Sequence, residues 1–116
     1  MPKLGIEYIK HINVEIDFII NTIPFRMTKE DFIQDEILKR AIVRSLEIIG
    51  EATKSIPIDE KLKYPDIQWK NMAGMRDKLA HDYMDLDYGI VWDVIKNKIP
   101  ILKFQIEGFL EKENTK

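Results

Sequence analysis

Apolar residues recur along this chain at intervals of three and four, and no sustained alternation at intervals of two competes with that pattern. Ile9, Ile12, Ile16, Ile19, Ile20 and Ile23 trace one helical face, which predicts a first helix over about residues 3–22, ended by Pro24. Its β-branched content is high for a helix, but the helical period holds over the whole length. The pattern resumes at Thr28, a suitable N-cap, with Glu30 and Asp31 in the first turn, where carboxylates complement the helix dipole. Ile37, Leu38, Ala41, Ile42, Ser45, Ile49 and Ala52 then form the stripe of a second helix running to about Ser55. At a rise of about 1.5 Å per residue it spans about 40 Å. "SIPIDEKLKYPDIQW" reads as a loop with two prolines. A third helix is expected from about Asp66 or Gln68 to about Tyr83, then a turn, "MDLDYG". A fourth starts near Asp87, itself a candidate cap, and keeps its period through "IVWDVIKNKIPILKFQIEGFLEK". Pro100 lies inside that run, where a proline costs about 3 kcal/mol, so a kink or a break is expected near Lys98. The pattern predicts an all-α fold, an antiparallel bundle of four to five helices. Trp69, Trp92, Phe104 and Phe109 are expected in its core or at an interface.

The chain has 116 residues, of which 45% are apolar, enough for one core. Residues 1–116 therefore read as a single domain, too short for separate catalytic and substrate domains. Any active site must lie on one face of this unit or between copies of it. With no cysteine, disulfides, thiolate zinc sites and cysteine nucleophiles are excluded. A net charge of −2 is not the basic balance of a stable nucleic-acid binder, so any meeting with RNA or DNA should be local or transient. The first residues lack an uninterrupted apolar stretch, and charges break every apolar run well before the roughly 20 residues of a membrane span. The expectation is a cytoplasmic protein with no signal peptide and no membrane contact.

One stretch concentrates reactive side chains: "MRDKLAHDY", residues 75–83, with Arg76, His81 and Tyr83. Arg76 stays charged at physiological pH and offers a fork of donors to phosphate oxygens. His81 can take or give a proton near neutrality. Together they suffice to break RNA without a metal. The histidine would deprotonate the ribose 2′-OH or protonate the leaving 5′-oxygen, and the arginine would hold the charge developing on phosphorus oxygens. Tyr83 could position the phosphate or the histidine. On a regular helix Arg76 and Tyr83 share a face, while His81 stands about 140° from Arg76. Either the helix frays near Ala80 or a second copy of the protein completes the site, and the second option is favoured. The plain alternative is an amphipathic helix with a surface ion pair from Arg76 to Asp77 or Asp82. The His81–Asp82 dipeptide also occurs as ligands in metal-dependent helical phosphohydrolases. Those enzymes need further ligands, and His11 is the one histidine left, so a two-metal site is hard to build. His11 itself reads as a partly solvated helix residue.

The motif Arg, four residues, His, one residue, Tyr resembles the signature of HEPN ribonucleases, nearest to the HepT-like toxins. The likeness extends to "AIVRSLEIIGEATKSI", to "YPDIQWKNMAGMRDKLAHDY" and to "DLDYGIVWDVIKNKIPILKFQIE", about residues 30–107. The first 25 residues share only helical character. The resemblance implies a HEPN-like helical homodimer whose two motifs meet in a cleft and cleave RNA without metal or cofactor. It implies Arg76 and His81 as the catalytic pair, with Asp77 helping to orient the site. It implies Tyr83 as a positioning residue and as the acceptor of AMP from a separate nucleotidyltransferase antitoxin, in a type VII toxin–antitoxin system. Two other functions compete: a non-catalytic, nucleotide- or substrate-binding partner of a nucleotidyltransferase, slightly favoured by the acidic balance, and a dimerisation domain with a vestigial motif.

Overall fold

A computed structural model describes residues 3–81 and 86–114 of the chain. Among them the secondary structure is helical throughout: α1 Lys3–Thr22, α2 Lys29–Gln34, α3 Glu36–Ser55, α4 Ile58–Lys61, α5 Trp69–His81, α6 Tyr88–Asp93 and α7 Ile99–Asn114. A π-helical turn, Val94–Lys98, joins the last two. The long helix α3 is central. It packs against α1 on one side and α5 on the other, while α7 covers α1 and α2 leans on α6. Ile9, Ile12, Ile16 and Ile19 of α1, Ile42 of α3, and Ile106 and Phe109 of α7 are almost wholly excluded from water at the centre of the bundle. Burying a side chain of this size favours folding by about 1.5–3 kcal/mol, so these contacts set the order of the layers.

The second helix departs from the sequence reading. Thr28 caps a helix as expected: its hydroxyl accepts from Asp31 N–H at 3.1 Å, and the Asp31 carboxylate accepts from Thr28 N–H at 3.2 Å. That helix ends after six residues, however. Asp35 turns extended (φ −93°, ψ 94°), and its Oδ1 accepts the N–H of Leu38 at 3.0 Å, starting α3 afresh. An Asp side chain competes with the backbone for local hydrogen bonds, which makes it a good cap and a poor helix interior. The stripe is correspondingly shifted at its start. Ile37 is 84% exposed, whereas Lys39 is buried, paired with Glu36 at 2.8 Å and lying 4.4 Å over the Tyr88 ring.

The proline-rich loop contains α4, a single turn that periodicity did not reveal. Trp69 closes this segment: its indole N–H reaches both Lys61 O and Tyr64 O at 3.1 Å. Asp87 caps α6 as expected, accepting from Gly89 N–H at 2.9 Å and Ile90 N–H at 3.3 Å. Near Pro100 the chain neither breaks nor loses its helical path. Ile99 N–H bonds Val94 O, five residues back. This wider turn shifts the hydrogen-bond register just before the residue that has no N–H to give. Of the aromatic residues, Trp69 and Phe109 are buried and Trp92 is half-buried, while Phe104 is 80% exposed. His11 is exposed. Among the described residues no helix is long and apolar enough to cross a membrane.

Candidate active site

The described part of the motif, up to His81, occupies the second half of α5, and its geometry starts from a glycine on α3. A Cβ built on Gly50 would fall 2.1 Å from the Cβ of Arg76 and 3.0 Å from its Cα. Any residue larger than glycine would hold the helices apart at this level. A mid-helix glycine is unfavourable by about 1 kcal/mol relative to alanine, and this close approach is the structural use of it. The contact fixes the backbone of Arg76 against α3 while its side chain, 32% exposed, extends to the surface.

Around the guanidinium lies a belt of alternating charge. Arg76 Nη1 is 3.5 Å from Asp77 Oδ1, and its Nε is 4.0 Å from Glu51 Oε1. Glu51 is shared with Arg44 at 3.5 Å, and Arg44 also reaches Glu47 at 3.2 Å. Asp77 accepts a hydrogen bond from Lys54 across the helix pair. That bond above all, then the Lys54 charge, and after them the Arg76 hydrogen bond and charge, hold the Asp77 carboxyl below the usual carboxylate range, against an opposing effect of burial second in size only to the Lys54 bond. Exposed contacts at these separations are weak. The arginine is therefore oriented by Glu51 and Asp77 without being saturated by them, and a phosphate offering two oxygens can displace both.

Asp77 and Arg76 are thus brought together as the sequence reading expected, and the Arg76–Asp77 surface pair is real. The backbone of His81 closes α5; its side chain, together with Asp82 and Tyr83, lies outside the described residues. The described part of α5 stays helical to His81, so the backbone register still separates positions 76 and 81 by about 140° within one chain. Three participants were missed by sequence reasoning. Gly50 had a signal, since a glycine inside a strong helical period asks for a packing reason. Glu51 and Lys54 had none, because Lys54 and Asp77 are 23 residues apart in the chain. Among the described residues no group of three or more His, Cys, Asp or Glu side chains could hold a metal ion.

Comparison with known proteins decides the family. Residues 8–108 match the family model described as ribonuclease HepT-like. The chain belongs to the HepT-like ribonucleases. The match reaches further toward the N-terminus than the blocks legible in the sequence, taking in most of α1. A provisionally named RNase of Caldanaerobacter subterraneus subsp. tengcongensis is 45% identical over 106 residues, 91% of this chain and 94% of the relative. Another from Methanocaldococcus jannaschii is 45% identical over 112 residues, 96% of this chain and 92% of the relative. A provisionally named ribonuclease HepT of Thermococcus cleftensis is 42% identical over 107 residues, 92% of this chain and 96% of the relative. No solved structure matches. As a HepT-like ribonuclease the protein is an endoribonuclease with an all-helical HEPN-like fold and RNA as its substrate.

Proposed function

We propose that this HepT-like ribonuclease is the toxin of a toxin–antitoxin pair, cleaving RNA without a metal through Arg76 and His81 in the cleft of a homodimer. The observation that carries the reading is the Gly50–Arg76 contact, which fixes an arginine backbone against the central helix and leaves the guanidinium partly exposed, with only long contacts to the Asp77 and Glu51 carboxylates. In the reaction the ribose 2′-oxygen attacks phosphorus and the bond to the 5′-oxygen breaks. The 2′-OH proton passes to a base, and an acid returns one to the departing 5′-oxygen. His81 serves these transfers, and the two copies of it in a dimer allow one to act as base and the other as acid. Arg76 neutralises the charge that grows on the phosphoryl oxygens, with Asp77 and Glu51 setting its orientation. The helical register supports a composite site, because Arg76 and His81 of one α5 diverge by about 140°.

Control is assigned to Tyr83 and a separate nucleotidyltransferase antitoxin. An AMP group on that hydroxyl brings a negative phosphodiester beside Arg76 and His81. It competes for the guanidinium and repels the RNA phosphate. Expression in a bacterial host tests the whole reading. Growth arrest relieved by His81→Ala, and by co-expression of the nucleotidyltransferase with a single AMP adduct on Tyr83 by mass spectrometry, is the expected result. Unchecked growth with unmodified wild-type protein would refute the toxin.

A further inference from the structure

A second feature of α5 lies on the flank opposite Arg76. The helix packs on α3 but stands off from α6 and α7. The gap opens as two adjoining clefts of about 370 and 460 Å³ that share Asn71, Met75 and Val94, each within the range of small-molecule sites, about 300–1,000 Å³. The larger cleft runs beside the motif half of α5. Met75 and Leu79 form one wall, and Ile90, Val91 and Val94 the other. Its polar lining is Lys70, Asn71 and Lys78 on α5 and Asp87 at the start of α6, whose Oδ1 is taken up in capping that helix. Among the described residues neither lysine has a carboxylate partner. The Asn71 amide donates to Gln68 Oε1 at 2.6 Å, which leaves its carbonyl oxygen and second N–H for another group.

Two apolar walls, an amide at the edge and two ammonium groups on the rim match the parts of a nucleotide. A base presents apolar faces to the walls, where a methionine thioether makes favourable contact with an aromatic ring. Its polar edge suits an asparagine amide, and its flanking phosphates suit lysines. A second protein copy would use the walls but has no need of the rim. The register of α5 gives the path. Counting about 100° per residue, Lys70, Gly74 and Lys78 share the outward face of α5, which separates Arg76 from the cleft. A strand engaged at Arg76 that crosses this face reaches Lys78, then the cleft.

We propose that the cleft between α5 and α6 receives a base of the RNA beside the cleaved bond, with Lys70 and Lys78 holding the adjacent phosphates. The inference rests on the ribonuclease reading above. It gives a protein of net charge −2 a local basic, base-accepting surface.

The test is binding of a mixed-sequence 2′-O-methyl RNA oligonucleotide, which cannot be cleaved, and of the same oligonucleotide with abasic positions, by fluorescence anisotropy on the full chain. A Cβ at Gly74 meets nothing within 4 Å, so Gly74→Leu fills the cleft mouth without disturbing the helix, and Gly74→Ala is the matched control. Gly74→Leu should weaken binding of the ordinary oligonucleotide about tenfold and leave the abasic one unchanged. Lys70→Glu should weaken both and flatten the salt dependence. Unchanged binding by Gly74→Leu, or an equal loss on both oligonucleotides, would overturn the base site. Conversion of a wild-type dimer to a monomer by Gly74→Leu would also overturn it, and assign the cleft to a second copy. Cleavage of unmodified RNA by the wild type is followed in parallel. Wild-type protein that binds but never cleaves refutes the ribonuclease reading, whereas cleavage alongside normal binding by Gly74→Leu refutes only the base site.

Discussion

Gly50→Ala is the substitution that most directly probes how the fold holds Arg76. The new Cβ would stand 2.1 Å from the Arg76 Cβ, whereas carbon atoms in contact prefer about 3.5–4.0 Å. Both atoms sit close to helix backbone, so no rotamer change relieves the clash. The helices must separate by roughly 1.5–2 Å at this level. Overpacking of this kind typically costs about 1–3 kcal/mol, partly offset by about 1 kcal/mol of improved helix propensity. The expected net loss is about 0–2 kcal/mol, with about 5 °C of melting temperature for each kcal/mol. Arg76 rides on the displaced helix, and a misplacement of about 1 Å can cost about 100-fold in rate. Urea denaturation and RNA cleavage by the folded fraction measure the two effects separately. Gly74→Ala on α5 is the counterpart, with no neighbour to meet, and should be neutral or stabilising. A Gly50→Ala protein as stable and as active as wild type would show that α3 does not position the arginine in this way.

Three further outcomes are expected. Asp35→Ala removes the side chain that accepts Leu38 N–H at 3.0 Å and should lower stability by about 1 kcal/mol in urea titrations, with activity per folded molecule unchanged. The Tyr64 hydroxyl is pushed up to about 12, first by burial and then by its 2.6 Å hydrogen bond to Glu113. Its ultraviolet titration should lag behind tyrosines that ionise near about 10. The linked stability is fully present below that pH and lost as pH rises through about 12, a decline that Tyr64→Phe should remove. Asp77→Asn takes away the negative charge that Lys54 and Arg76 share and leaves a neutral amide in its place. It should leave the melting temperature nearly unchanged, because the pair is exposed, while lowering kcat roughly tenfold through a less ordered arginine. The depressed Asp77 pKa implies that this ordering persists above the usual carboxylate range and is lost as pH falls through the lowered value, visible as an acid limb absent from Asp77→Asn.

What the sequence disclosed and what it concealed divide along the range of the interactions. The helical stripes, the Thr28 and Asp87 caps and the irregularity before Pro100 are local, and each was legible within a few residues. The Arg76–His81 spacing was legible for the same reason. The break at Asp35 was hidden because apolar residues keep their helical phase across it, and a single aspartate backbone angle decides the matter. Ile37 illustrates the consequence: its spacing fits the stripe, yet the restart of α3 leaves it in water. The environment of Arg76 was hidden for another reason. Gly50, Glu51 and Lys54 meet α5 through packing across more than 20 residues of chain, which no window of sequence encodes. The α5–α6 cleft likewise follows from which helices pack closely, since α5 packs mainly on α3.

The central claim is that Arg76 and His81 together cleave RNA with no metal. The decisive measurement is cleavage of a fluorescent RNA by partner-free protein in excess EDTA, with Arg76→Ala and His81→Ala beside it and mass spectrometry confirming that Tyr83 is unmodified. The account predicts cleavage by wild type in EDTA and its loss in both variants, each still folded by circular dichroism. Cleavage that EDTA abolishes, or that survives either substitution, would contradict it.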